Sequence, residues 1–273
     1  TTPEQLRAVI SDPTLGHRMI ELRHLTKRYG EQVVVDDLSI QVDEGELLVL
    51  LGSSGSGKTT TLKMINRLVE PSAGSVLVGG SDVAEFAPYD LRRRIGYAFQ
   101  QVGLFPHMTV AENIAVTLTL LGWTEPEMRR RVDELLELVE LNADDTRGRR
   151  PDQLSGGQQQ RVGVARALAA SPRLMLLDEP FGALDPLTRQ RLQESFVRIR
   201  RELGLTAVFV THDMVEALVL GDRIAVMETG RLVQIGTPGI LMREPADDYV
   251  RRLLDTPRRE AQLVESLLGS GTS

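Results

Sequence analysis

Nine consecutive residues, Gly52-Ser53-Ser54-Gly55-Ser56-Gly57-Lys58-Thr59-Thr60, set glycines, serines and a lysine–threonine pair directly behind an apolar run. Gly52, Gly55 and Gly57 let the backbone curl until successive N–H groups point at one spot, which suits phosphate oxygens. A helix that opens at Lys58 adds the partial positive charge of its N-terminus. Lys58 would then reach β- and γ-phosphates, and Thr59 would give a hydroxyl to Mg²⁺. A glycine- and serine-rich turn that only caps a helix is the plainer alternative. The Lys-Thr pair after a buried strand argues against it.

Further along, "LMLLDEP" ends an apolar strand in Asp178 and Glu179. An acid is needed near Mg²⁺ in a nucleoside triphosphate site, and Asp178 is placed to supply it. Glu179 beside it could polarise an attacking water as a general base. Two carboxylates capping a helix would look the same in isolation; the phosphate loop gives them chemistry. His212 closes another apolar strand, "VFVT", and is expected at the same sheet edge, where ligands gather in parallel α/β sheets. His17, His24 and His107 are read as structural. In "LSGGQQQRVGVARALAA", Ser155 can cap a helix whose first N–H groups stay open because Gly156 and Gly157 carry no side chains. That makes a second anion-binding helix end, or else an unusually glycine-rich helix start.

The elements that must hold these residues alternate between strand and helix. "MIELRHL", "VVV" at Val33–Val35 and "LSIQV" read as strands, and "ELLVLL" (46–51) reads as one buried on both faces. "LMLLD" and "TAVFVT" are further buried strands, each followed by a helix. From about 110 to 141 the pattern becomes helical: Thr109 and Glu112 are spaced as a capping box, and Val132, Leu135, Leu136 and Val139 share one face. A largely parallel sheet covered by helices and interrupted by a helical insert is the expected architecture. "DDYVRRLLD" near the C-terminus is amphipathic, and "GSGTS" reads as flexible.

With 41% hydrophobic and 26% charged residues, neither disorder nor a fibrous repeat is indicated. A net charge of −6 argues against a nucleic-acid surface, and the short arginine runs read as solvated surface. The absence of cysteine excludes disulfides and thiol chemistry. No apolar run approaches the ~20 residues that cross a bilayer, and the N-terminus lacks the pattern of a signal peptide.

Taken in order, "GSSGSGKTT", Gln100, "LSGGQ", "LMLLDEP", "GALD" and His212 resemble the nucleotide-binding subunit of an ABC transporter over residues 19–254. The resemblance implies an α/β fold: a RecA-like P-loop NTPase core with an antiparallel β-subdomain and a helical subdomain. It divides the chain into an N-terminal extension (1–18), the ATPase domain (19–255, helical insert about 104–160) and a flexible tail (256–273). It implies a homodimer that sandwiches two ATP molecules, each between residues Gly52–Thr60 of one subunit and Ser155, Gly156, Gly157 and Gln158 of the other. Tyr29 matches the aromatic that stacks on adenine, and Asp185 the loop joining the two sites. Gln100 matches the glutamine that senses Mg²⁺ and the attacking water, with Thr59 and Asp178 as the other metal-site residues. Glu179 and His212 match the catalytic pair.

The same resemblance accounts for the apolar loop Leu104-Phe105-Pro106: integral-membrane permease subunits dock near Gln101–His107. Phe105 packing inward on a small core is the alternative. The cassette would then lie at the cytoplasmic face of the membrane, held by the permease, with an extracytoplasmic solute-binding protein beyond it. "RPDQLSGGQQQR" and "DEPFGALDPLTR" resemble importers, and "GLFPHMT" behind the double glutamine resembles ATPases of quaternary-amine osmoprotectant uptake such as glycine betaine. A nitrate or sulfonate importer is the runner-up. An exporter subunit and an ABC ATPase acting on DNA or ribosomes are the other classes weighed.

Overall fold

The computed structural model describes residues 18–99, 102–182 and 184–255. Most of the expected N-terminal extension, the C-terminal tail, Gln100 and Gln101 lie outside the described residues. Arg18, assigned to the extension from sequence, is instead the first residue of strand β1 (Arg18–Tyr29).

Two sheets build the molecule. The first is antiparallel, in the order β2-β1-β4-β5, with β2 at Gln32–Asp43, β4 at Ala73–Val78 and β5 at Ser81–Asp82. Where the sequence separates "VVV" from "LSIQV", the structure has one strand, β2. Asp37 in β2 and His24 in β1 both sit in the left-handed region, at φ 52° and 50°. Each bulge inserts an irregularity that resets the in–out alternation, so one strand looks like two. His24 Nδ1 and Asp37 Oδ1 meet at 2.7 Å, which gives that histidine a structural partner.

The second sheet runs β10-β9-β3-β8-β7-β6. Its strands are β3 (Leu47–Leu51), β6 (Ile95–Ala98), β7 (Leu174–Asp178), β8 (Thr206–Thr211), β9 (Arg223–Glu228) and β10 (Arg231–Gly236). All neighbours are parallel except β10, which hairpins back on β9. Every residue of β3, β7 and β8 is buried, as a strand covered on both faces must be. Their side chains nevertheless divide. Leu47, Val49, Leu51, Met175, Leu177, Ala207 and Phe209 enter one core. Leu48, Leu50, Leu174, Leu176, Val208 and Val210 enter the other, which the antiparallel sheet closes.

The helices are α1 (Lys58–Ile65), α2 (Pro88–Arg92), α3 (Val110–Leu120), α4 (Glu125–Leu138), α5 (Ala143–Thr146), α6 (Gly156–Leu168), α7 (Pro186–Leu203), α8 (Met214–Leu220) and α9 (Pro238–Arg243). A further helical stretch occupies 248–255. Helices α3, α4 and α6 pack on one another, with Val132, Leu135 and Leu136 of α4 turned inward. Capping boxes start α3 (Thr109 with Glu112) and α4 (Thr124 with Glu127). Among the described residues no helix is long and apolar enough to cross a membrane.

Candidate nucleotide and catalytic site

The carboxyl ends of β3, β7 and β8 lie side by side, and each carries part of the constellation. β3 runs into the loop 52–57, where Gly55 and Gly57 stand at φ 81° and 95°. A Cβ on Gly57 would lie 2.6 Å from the Val34 carbonyl oxygen, so this turn admits glycine only. Ser53, Ser54 and Gly55 form the exposed tip, and Ser56 is buried. Helix α1 then opens with Lys58, Thr59 and Thr60, and its first turn contains no acidic residue to compete with an anion.

Lys58 is 5% exposed. Its Nζ donates to the carbonyls of Gly52 and Ser53, both at 2.8 Å, and to Ser56 Oγ at 3.3 Å. Burial pulls its pKa below the ordinary lysine value, while Glu179 and Asp178 favour the charged form. The ammonium is thus held over the loop by oxygens that phosphate oxygens can replace. Thr59 Oγ1 donates to Asp178 Oδ1 at 2.8 Å. Burial pushes the Asp178 carboxyl above its usual value, against the Thr59 hydrogen bond and the charges of Lys63 and Lys58. Among the described residues no group of three or more His, Cys, Asp or Glu could hold a metal unaided. Mg²⁺ takes one or two protein oxygens, several waters and substrate phosphate oxygens, so the Thr59–Asp178 pair fits it.

Glu179 follows β7 at φ 46°, a left-handed conformation that carries strain in a non-glycine residue. Its N–H donates to the Val210 carbonyl at 3.0 Å, which fixes the turn against β8. His212, one residue past β8, brings Nδ1 to 3.2 Å from Glu179 Oε1. In this contact Nδ1 carries a proton and donates it to the carboxylate. Asp213 caps α8 by accepting from the N–H groups of Val215 and Glu216.

The remaining sequence-expected residues lie apart from that cluster. Ser155 and Gln158 close a capping box at the start of α6, and Asp185 caps α7 by accepting from the Thr188 N–H at 3.0 Å. Hydrogen bonds from Thr188 hold the Asp185 carboxyl below its usual value. Ser155, Gly157, Gln158, Leu184 and Asp185 line one groove, which none of Lys58, Thr59, Asp178 or Glu179 enters. Tyr29 ends β1 half exposed, with Lys27 Nζ 4.9 Å from its ring centroid. Gln100 lies outside the described residues. Phe105 is 40% exposed although Asn113 clamps its backbone, Oδ1 accepting from its N–H at 2.8 Å and Nδ2 donating to its carbonyl at 3.2 Å. Leu104 beside it packs on the core.

The sequence pattern of the ABC transporter family matches residues 35–182. The chain belongs to the ABC transporter family. It is similar to the choline transport ATP-binding protein OpuBA of Bacillus subtilis, with 49% identity over 92% of this chain and 68% of that protein. The glycine betaine/carnitine/choline transport ATP-binding protein OpuCA of the same organism is also 49% identical, over 88% of this chain and 63% of its own length. The chain thus spans about two thirds of the length of these relatives. Among solved structures, the dimeric post-hydrolysis state of the cassette MJ0796 bound to ADP and Pi superposes with a TM-score of 0.75 at 35% identity, covering 81% of this chain and 99% of that one.

Two further residues of this ABC ATPase carry little signal in the sequence. Glu216, in the apolar stripe of α8 with Met214, Ala217 and Leu220, is 8% exposed and accepts from Gln193 Nε2 at 2.9 Å. Burial pushes its carboxyl up, against hydrogen bonds from Thr211 and Gln193. An acid inside an apolar stripe was the available signal. Tyr249 accepts from the Ser53 N–H at 3.0 Å across 196 residues, a contact with no local signature.

Proposed function

We propose that this chain is the ATP-hydrolysing subunit of an importer for a quaternary-amine osmoprotectant such as glycine betaine. The observation that carries the ATPase part is the convergence of Lys58, Thr59, Asp178 and Glu179 at adjacent strand ends. The substrate class rests on the relatives named for choline, glycine betaine and carnitine transport.

In this reading the loop 52–57 and the start of α1 wrap the phosphates, and Lys58 exchanges its loop oxygens for phosphate oxygens. Mg²⁺, held through Thr59 and Asp178, would offset phosphate charge and orient the triphosphate. Glu179 takes a proton from the attacking water as that water adds to the γ-phosphorus and ADP departs. His212 holds the Glu179 carboxylate in place. The anion-binding helix end at Ser155–Gln158 is completed by a second copy, head to tail, so that each nucleotide is closed by both subunits. Permease subunits dock beside Phe105, and the solute reaches them through an extracytoplasmic binding protein.

The deciding experiment is uptake of radiolabelled glycine betaine after a hyperosmotic shift. The cells carry wild type or Glu179→Gln as their only betaine system, at matched protein levels. Loss of uptake in the variant supports the assignment. Uptake no higher than in cells without the chain, for wild type and variant alike, removes the quaternary-amine reading and leaves the ATPase standing.

A further inference from the structure

The first peptide unit of the phosphate loop is held from both edges. Lys58 Nζ donates to the Gly52 carbonyl at 2.8 Å, and the Ser53 N–H donates to the Tyr249 hydroxyl at 3.0 Å. That carbonyl and that N–H belong to one trans peptide, so they point in opposite directions and their partners sit on opposite sides. Gly52 has no side chain to resist rotation of this unit, and it can have none. A Cβ there would lie 2.2 Å from the Met227 carbonyl oxygen. Its orientation is therefore set by its two hydrogen-bond partners.

The two partners differ in permanence. Lys58 has three N–H donors, directed here at Gly52, Ser53 and Ser56. To engage a phosphate it must release at least one of these oxygens. Tyr249 instead stands on a fixed mount. Val250 and Leu254 of the same helical stretch are buried, at 0% and 1% exposure. Asp247 Oδ1 caps the Val250 N–H at 2.9 Å. Gln234 of β10 ties the approach, accepting from the Ala246 N–H at 2.9 Å and donating to the Glu244 carbonyl at 2.8 Å.

We propose that Tyr249 is a positioning residue for nucleotide binding: its hydroxyl keeps the Gly52–Ser53 peptide oriented while Lys58 moves from loop carbonyls to phosphate. It acts through Ser53 and touches no nucleotide. The inference rests on the reading of Gly52–Thr60 as the ATP loop and adds a residue from the far end of the chain to it.

Tyr249→Phe removes the oxygen and keeps the ring that packs on the core. Titration with a fluorescent ATP analogue and steady-state hydrolysis should show Kd and KM for MgATP raised about three- to tenfold, the size of one hydrogen bond, with kcat within about twofold. Amide exchange of the peptide containing Ser53 should quicken, and the nucleotide-free melting temperature should stay within about 2 °C. Unchanged affinity, a fall in kcat at constant KM, or a melting loss that accounts for the affinity change would each overturn the proposal. Lys58→Ala, measured in parallel, separates the two readings. If it too leaves affinity intact, the loop assignment itself fails; if it alone weakens binding, only the role of Tyr249 falls.

Discussion

His212 Nδ1 stands 3.2 Å from Glu179 Oε1, bridging the ends of two neighbouring strands, β7 and β8. The carboxylate that would accept a proton from water is thereby oriented before substrate arrives. Glu179→Gln keeps the shape and removes the base, so kcat should fall by about 10²–10⁴-fold while MgATP affinity holds. Single-turnover hydrolysis measured beside nucleotide titration checks both halves. Near-normal turnover would remove Glu179 from the mechanism.

Lys58→Ala acts on the ground state instead. Losing charge-assisted hydrogen bonds to phosphate should weaken MgATP binding about ten- to a hundredfold. Calorimetric titration reads this directly, and an unaltered Kd would contradict the loop reading.

Glu216 gives a pH signature. Its folded-state pKa is raised by burial above the unfolded value, so the native state binds more protons than the unfolded state between the two values. The stability this contributes is complete below the unfolded pKa and is lost as pH rises through the folded one. Glu216→Gln cannot ionise, so its melting temperature relative to wild type should increase from mildly acidic to neutral pH. A difference that stays flat across that range would mean that the Glu216 carboxylate bears no burial cost.

Gly163 tests packing between α6 and the loop before α3. An added Cβ would lie 2.7 Å from Val102 Cγ1, a branched side chain with little freedom to withdraw. The Val102 carbonyl is also tied to Arg166 Nη2 at 2.7 Å. Gly163→Ala should lower stability by about 1–3 kcal/mol in urea unfolding. A neutral result would show that the loop moves aside.

Phe105 is exposed on a backbone held by Asn113, so Phe105→Asp should leave both the melting temperature and the ATPase rate of the isolated subunit close to wild type. Transport by the assembled importer should drop sharply. Uptake that survives would show that Phe105 is not part of a dock.

Strands β7 and β8 and the start of α1 were legible in the sequence because each is a short uninterrupted apolar run, or a glycine-rich loop, with an abrupt polar end. The pairing of Lys58, Thr59, Asp178 and Glu179 followed from those ends, since parallel strands bring their carboxyl termini together. Strand β2 looks like two in the sequence because Asp37 breaks its alternation, and a bulge resembles a turn when only the pattern is visible. Tyr249 was invisible for another reason. A hydrogen bond spanning 196 residues depends on where the closing helix lands, and nothing around Tyr249 in the sequence marks that landing point.

The alternate side chains of β3, β7 and β8 serve two cores that share no residue. Substitutions can therefore accumulate on one side of this sheet without repacking the other. The core that contains the helical lobe can be repacked while the side chains between this sheet and the antiparallel one stay as they are. A single cassette can be re-tailored on one surface and inherited unchanged on the other.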